Sequence, residues 1–174
     1  MLKKNSLKAS SKATSQGAKK KPPLTPIRAG LKKESDLHSA VKDGLGAVQN
    51  SHKDYFDMPI RQAFIDSMEL DEAVKKGNEQ DNRWDYLLGY SATDEIIAIE
   101  PHSAKQDEVS TVIKKRKSAK EHLKDHLREG VKINKWLWVA SGKVHFANTE
   151  KVIVQLNQNG IKFVGTKIKE KDLL

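Results

Sequence analysis

The chain has 174 residues, 37% of them hydrophobic and 32% charged, with no cysteine and a formal net charge of +9. That length suits one domain with a tail. The missing thiols exclude disulfides and thiolate metal sites and fit a reducing, cytoplasmic setting. No apolar run approaches the roughly 20 residues of a membrane helix, and the start MLKKNSLKASSK has charge without the apolar segment of a secretory signal.

The positive charge is not spread evenly. Residues 1–33 hold ten Lys or Arg and no acid, whereas residues 34–174 hold 22 basic and 23 acidic side chains. The first segment, rich in Lys, Ser, Ala and Thr, has little to bury and much to repel, and it is predicted to be a disordered basic tail. Lys19, Lys20 and Lys21 are its candidate contacts to nucleic-acid phosphates. A targeting peptide and a merely solvating tail are the competing readings. Residues 34–174 are predicted to form a single α/β domain of near-neutral charge.

Helix signals begin that domain. Ser35 or Asp36 can cap, and Leu37, Val41, Leu45 and Val48 recur at helical spacing, although Gly44 and Gly46 weaken such a helix. Pro59 suits the first turn of a second helix ahead of Ile60, Phe64 and Ile65. A short helix near Leu70 to Lys76 ends at Gly77-Asn78.

Trp84 to Tyr90 and Glu95 to Ile99 then read as strands, the second apolar on both faces as a covered central strand should be. Residues 107–128 read as a helix with a buried stripe of Val109, Val112, Ile113, Ala119, Leu123 and Leu127, its lysines largely outside it. KWLWVA, 135–140, is a third strand. Asn148 or Thr149 caps a short helix that ends at Asn159-Gly160, and Ile161 to Ile168 is a last strand with Gly165 as its bulge.

A four-residue loop at Ser91 to Asp94 would set Tyr90 opposite Glu95, Leu88 opposite Ile97 and Asp85 opposite Glu100. Facing side chains share one side of a sheet, and His102 joins Glu100 two residues on. Two like charges so placed need a shared proton, a basic partner or a cation. Paired carboxylates with water suit Mg2+, and His102 also admits Mn2+. The competing reading is a pair of surface acids bound to Arg83 or a lysine.

An acid on one strand, an acid-x-residue on the next, then a helix and a strand, resembles the PD-(D/E)XK nuclease superfamily. The likeness spans residues 36–168 in element order, and in sequence only Asp85 and Glu100-Pro101-His102. It implies a restriction-endonuclease-like α/β core, a mixed sheet of about four strands flanked by helices. It implies a hydrolase acting on phosphodiester bonds of DNA or RNA, with Asp85 and Glu100 as ligands of Mg2+ or Mn2+. The family's lysine position holds His102, which would act as ligand or base, so a lysine from the next helix, Lys114 or Lys117, could take the lysine's place, with Lys105 in the connection nearer in sequence. Asp43 or Glu34 could supply the further acid the family uses. A non-catalytic module of the same fold, binding nucleic acid or a protein, is the alternative, and a homodimer is left open.

Lys115 and Arg116, within the KKRK run at 114–117, and Lys143, after the third strand, are further candidate phosphate contacts. Trp136 and Trp138 share a face and read as core, with base stacking as the alternative. His122 and His126, four apart on a helix, have the spacing of a metal face but more simply flank its buried stripe.

Overall fold

The structure, a computed structural model, describes residues 24–174, so Lys19, Lys20 and Lys21 lie outside the described residues. Its centre is a mixed sheet of six strands in sequential order: β1 (Val41–Asp43), β2 (Phe64–Glu69), β3 (Tyr86–Tyr90), β4 (Glu95–Lys105), β5 (Ile133–His145) and β6 (Lys162–Phe163). Strands β1 to β4 form an antiparallel meander. Two crossovers follow, and β5 and β6 join in parallel. The crossovers run through α3 (Glu108–Lys124) and α4 (Thr149–Gln158). Three shorter helices are α1 (Pro26–Gly30), α2 (Leu70–Ala73) and α5 (Glu170–Leu173).

Both faces of the sheet are covered. On one, Met68, Leu87, Ala98, Trp136 and Trp138 pack under α1, α3 and α4. On the other, Tyr86, Leu88, Ile97, Ile99 and Leu137 pack under Phe56, Ile60, Ile168 and Leu173. The double-sided apolar run in β4 matches that burial. No helix among the described residues is long and apolar enough to cross a membrane.

Three expectations need correction. The sheet has six strands rather than about four, because Val41 and Phe64-Ile65, whose spacing predicts helix, lie on β1 and β2. The Leu37 to Val48 spacing arises instead from a 3₁₀ turn at Asp36–Ala40, strand β1 and a tight turn. Gly44 makes that turn in the left-handed region at φ 54°, and its N–H donates to the Ile65 carbonyl at 3.0 Å. The segment around Pro59 is likewise a 3₁₀ turn, Met58–Ala63, that feeds β2. The last strand is only two residues long.

The third correction concerns the domain boundary, which falls before residue 34. Thr25 precedes α1, Pro26 occupies its first turn, and Ile27 and Leu31 are core residues. Asp66, fully buried on β2, reaches across to accept the Ile27 and Arg28 N–H groups through Oδ2 at 3.0 and 3.2 Å. A carboxylate is thus brought to a helix start by tertiary structure rather than by its own chain neighbour. Burial pushes its carboxyl above the ordinary aspartate value, against those donors. Gly89 on β3 makes room for it, since a Cβ there would stand 1.9 Å from Asp66 Oδ1. Gly89→Ala is expected to cost roughly 1–3 kcal/mol, read as a lower urea midpoint at unchanged slope.

Candidate functional site

The β3–β4 hairpin has the expected register. Tyr90 pairs with Glu95, Leu88 with Ile97 and Tyr86 with Ile99, and Asp94 turns the loop at φ 58°. One step beyond the ladder, the Asp85 N–H donates to Glu100 Oε2 at 2.9 Å. The two acids therefore meet at the end of the hairpin. Glu100 is wholly buried, while the Asp85 side chain keeps 23% of its exposure.

The positive group between them is Lys115. Its Nζ donates to Asp85 Oδ1 at 3.3 Å and also to Glu100 Oε1. The sequence places Lys115 among the phosphate contacts and makes Lys114 or Lys117 the helix lysine of the site. The structure turns those two to the other flank of α3, where they line a groove with Asn78, Asp81 and Asn82. A signal for the difference was present. Lys115 lies three residues after Val112 and four before Ala119, both fully buried, so it belongs to the inward stripe. Its side chain is only 16% exposed.

Electrostatics follow from burial. Desolvation pushes the Glu100 carboxyl well above the ordinary glutamate value, the Asp85 charge adds to this, and Lys115 opposes it. Burial works against the Lys115 charge, but the two acids prevail and hold its ammonium above the usual lysine value. Arg83 takes no part in the pair. It binds Asp71 at 2.9 Å and carbonyls of the 78–81 loop, fixing the chain that enters the site.

His102 lies on the same face as Glu100. Its Nδ1 is 3.5 Å from Glu100 Oε1, and its Nε2 meets Glu108 Oε2, in the first turn of α3, at 2.9 Å. That contact lowers the pKa of Glu108. The His102 carbonyl accepts from Trp138 Nε1 at 3.1 Å. The imidazole thus bridges the buried acid and the helix that delivers Lys115.

Other candidates fall elsewhere. Trp136 and Trp138 are 4% and 0% exposed and pack edge-on against Trp84 and Phe163 respectively, which excludes base stacking on them as they stand. Lys143 is on an exposed extension of β5, which runs on as strand to His145 where a loop was expected. Arg116 lies over the Trp136 ring at 5.3 Å. His122 binds Asp81 at 2.9 Å and His126 meets Ser35 at 3.0 Å, so each imidazole has a partner of its own. Asp43 is on the edge strand, two strands from β3, and pairs with Arg28 at 2.9 Å. Glu34 is exposed in the turn before β1.

Two carboxylates offer only oxygen donors, and among the described residues no group of three His, Cys, Asp or Glu stands ready to hold an ion. A two-carboxylate set leaves most positions to water and substrate oxygens, which is the habit of Mg2+ rather than of a fully caged metal. The chain matches no protein-family model, no curated protein and no solved structure.

Proposed function

We propose that the chain is a metal-dependent nuclease domain with a restriction-endonuclease-like core, hydrolysing phosphodiester bonds in DNA or RNA. The observation that carries this reading is one ammonium bonded to two carboxylates that face each other across a hairpin. The element order supports it as well: an antiparallel run from β2 to β4, a helix, then a parallel β5.

In this reading Asp85 and Glu100 would hold Mg2+ or Mn2+, which when bound polarises a phosphodiester and activates water. Lys115 supplies the charge of the family's lysine from α3 rather than from β4, and steadies negative charge as it grows on the phosphate. His102, tied to Glu108, holds Glu100 in place. The basic segment at 1–23 would add sequence-independent affinity.

The second reading, a non-catalytic module of the same fold, is favoured by one specific feature: Lys115 already occupies the place between the acids, bonded to both, and Glu100 has no exposed surface. Calorimetric titration with Mg2+ and Mn2+ separates the two. Saturable binding that is lost in Asp85→Ala and in Glu100→Ala, with metal-dependent cleavage of a nucleic acid lost in parallel, is the outcome expected. Neither binding nor cleavage in the wild type, with and without nucleic acid present, would select the module.

A further inference from the structure

One residue along from Lys115, the flank of α3 beside Trp136 opens into a groove of about 580 Å³ between that helix and the 127–133 segment. We propose that this groove is a seat for single-stranded nucleic acid, with phosphates on a basic rim and bases against an apolar floor. The inference rests on the reading of the neighbouring acids and Lys115 as a site acting on phosphodiesters, and it names the form of the substrate.

The rim is built by Arg116, Lys120 and Lys124, one turn apart on α3, and is continued by Arg128 and Lys132. Five cations face two carboxylates there, Glu121 and Glu129. This excess is local, since residues 34–174 as a whole carry slightly more acid than base. Successive helix cations rise by about 6 Å, a repeat that a flexible strand can follow with its phosphates. The floor a base can reach comes from the partly exposed Leu127, Val131 and Ile133, with Leu123 and Trp136 buried beneath them.

Arg116 gives the groove its focus. Its Nε is buried without any hydrogen-bond partner. Its guanidinium lies over Trp136 instead of against an acid. Gly160, at the end of α4, leaves the space it needs, because a Cβ there would stand 2.7 Å from Arg116 Nη2. A planar donor fork set on an aromatic ring and left without an anion matches what phosphate recognition requires. Bases can stack on or beside such a group without sequence preference.

The floor decides between strand and duplex. A duplex shows phosphates and hides its base faces, so the apolar surface under the rim would go unused. A single strand uses both. An acidic peptide would also satisfy rim and floor. The strand is preferred because the same helix presents Lys115 to the paired acids, so one polymer lying along α3 reaches both.

The test uses the full chain and the triple variant Lys120→Gln/Lys124→Gln/Lys132→Gln, whose three sites are exposed, with thermal melts to show equal folding. Binding of a labelled oligothymidylate is followed by anisotropy without divalent metal, beside a duplex of equal length, with polyglutamate as competitor. The variant should bind the single strand about tenfold or more weakly, with the slope of log K against log salt smaller by about 2, and should lose less on the duplex. Single-strand affinity within twofold of wild type, equal loss on the duplex, or displacement by polyglutamate at matched charge would each overturn the proposal. Wild-type cleavage in Mg2+ is scored separately. Groove-dependent binding without cleavage removes the nuclease reading alone. Cleavage with unaltered binding by the variant removes the groove alone.

Discussion

Lys115→Met is expected to destabilise the protein by about 3 kcal/mol at neutral pH, the lower end of the cost of breaking a buried ion pair. The lower end applies because Lys115 keeps 16% and Asp85 23% of side-chain exposure. Methionine replaces the stem but leaves two carboxylates facing each other with no cation between them. The deficit should depend on pH, and its sign follows from Glu100. Its folded pKa already lies well above the unfolded value of 4.5, and removal of the ammonium raises it further. The folded state then holds a proton that the unfolded state releases, so stability is full below about pH 4.5 and is lost as pH rises through the folded pKa. Thermal melts from pH 5 to 8 should show the variant approaching wild type at the acid end. Mg2+ or Mn2+ should raise its midpoint more than that of the wild type, since a divalent ion can occupy the place of the ammonium. Any hydrolysis should fall by roughly 10²-fold or more, as on removal of one charge-stabilising donor. A variant equally deficient at pH 5 and pH 8, and unmoved by metal, would show that the acids are not held together by charge.

Glu100→Gln is expected to separate function from stability. Glutamine keeps the shape of the side chain and a carbonyl oxygen for the Asp85 N–H, but removes a charge that is wholly desolvated. The raised pKa of Glu100 means that burial, aided by the Asp85 charge, outweighs the opposing pull of Lys115. Saturable metal binding and any hydrolysis should therefore be abolished, while the thermal midpoint at pH 7 stays level or rises. The pH dependence of stability between 4.5 and 8 should flatten. A gain of 1 kcal/mol would appear as about 2–4 °C for a chain of this size. A fall of several degrees would mean that the pair with Lys115 outweighs the burial of the acid, as a strongly compensated ion pair would. A level or raised midpoint would place this site among those where stability is given up for chemistry.

The hairpin that joins the two acids was legible because its loop has few ways to close. Ser91 to Asp94 sets Tyr90 against Glu95, and every later pair follows by counting. Helix α3 was legible from its stripe, and α4 from its Asn148 cap, which accepts the Lys151 N–H at 3.0 Å. The residues that misled were those whose local and tertiary roles differ. Pro26, Ile27 and Leu31 sit in a basic, proline-marked stretch, and only the distant Asp66 makes a helix start worthwhile there. Gly44 interrupts an apparent helical spacing that is really a strand and a turn. Lys115 is a charged residue on a buried stripe, so charge alone sends it outward, whereas its spacing from Val112 and Ala119 sends it inward. Its partners lie 15 and 30 residues away, beyond the reach of any local rule.

The seating of α1 on Asp66 has a practical consequence for dissecting the protein. Trimming the basic arm as far as residue 23 removes none of the described residues. A cut at residue 33 would also remove Ile27 and Leu31 from the core and strip Asp66 of both backbone donors. Such a truncation would weaken the whole domain, and its lost affinity for nucleic acid would be credited to the lysines of the arm. Where the arm is severed thus decides whether the experiment reads electrostatics or unfolding.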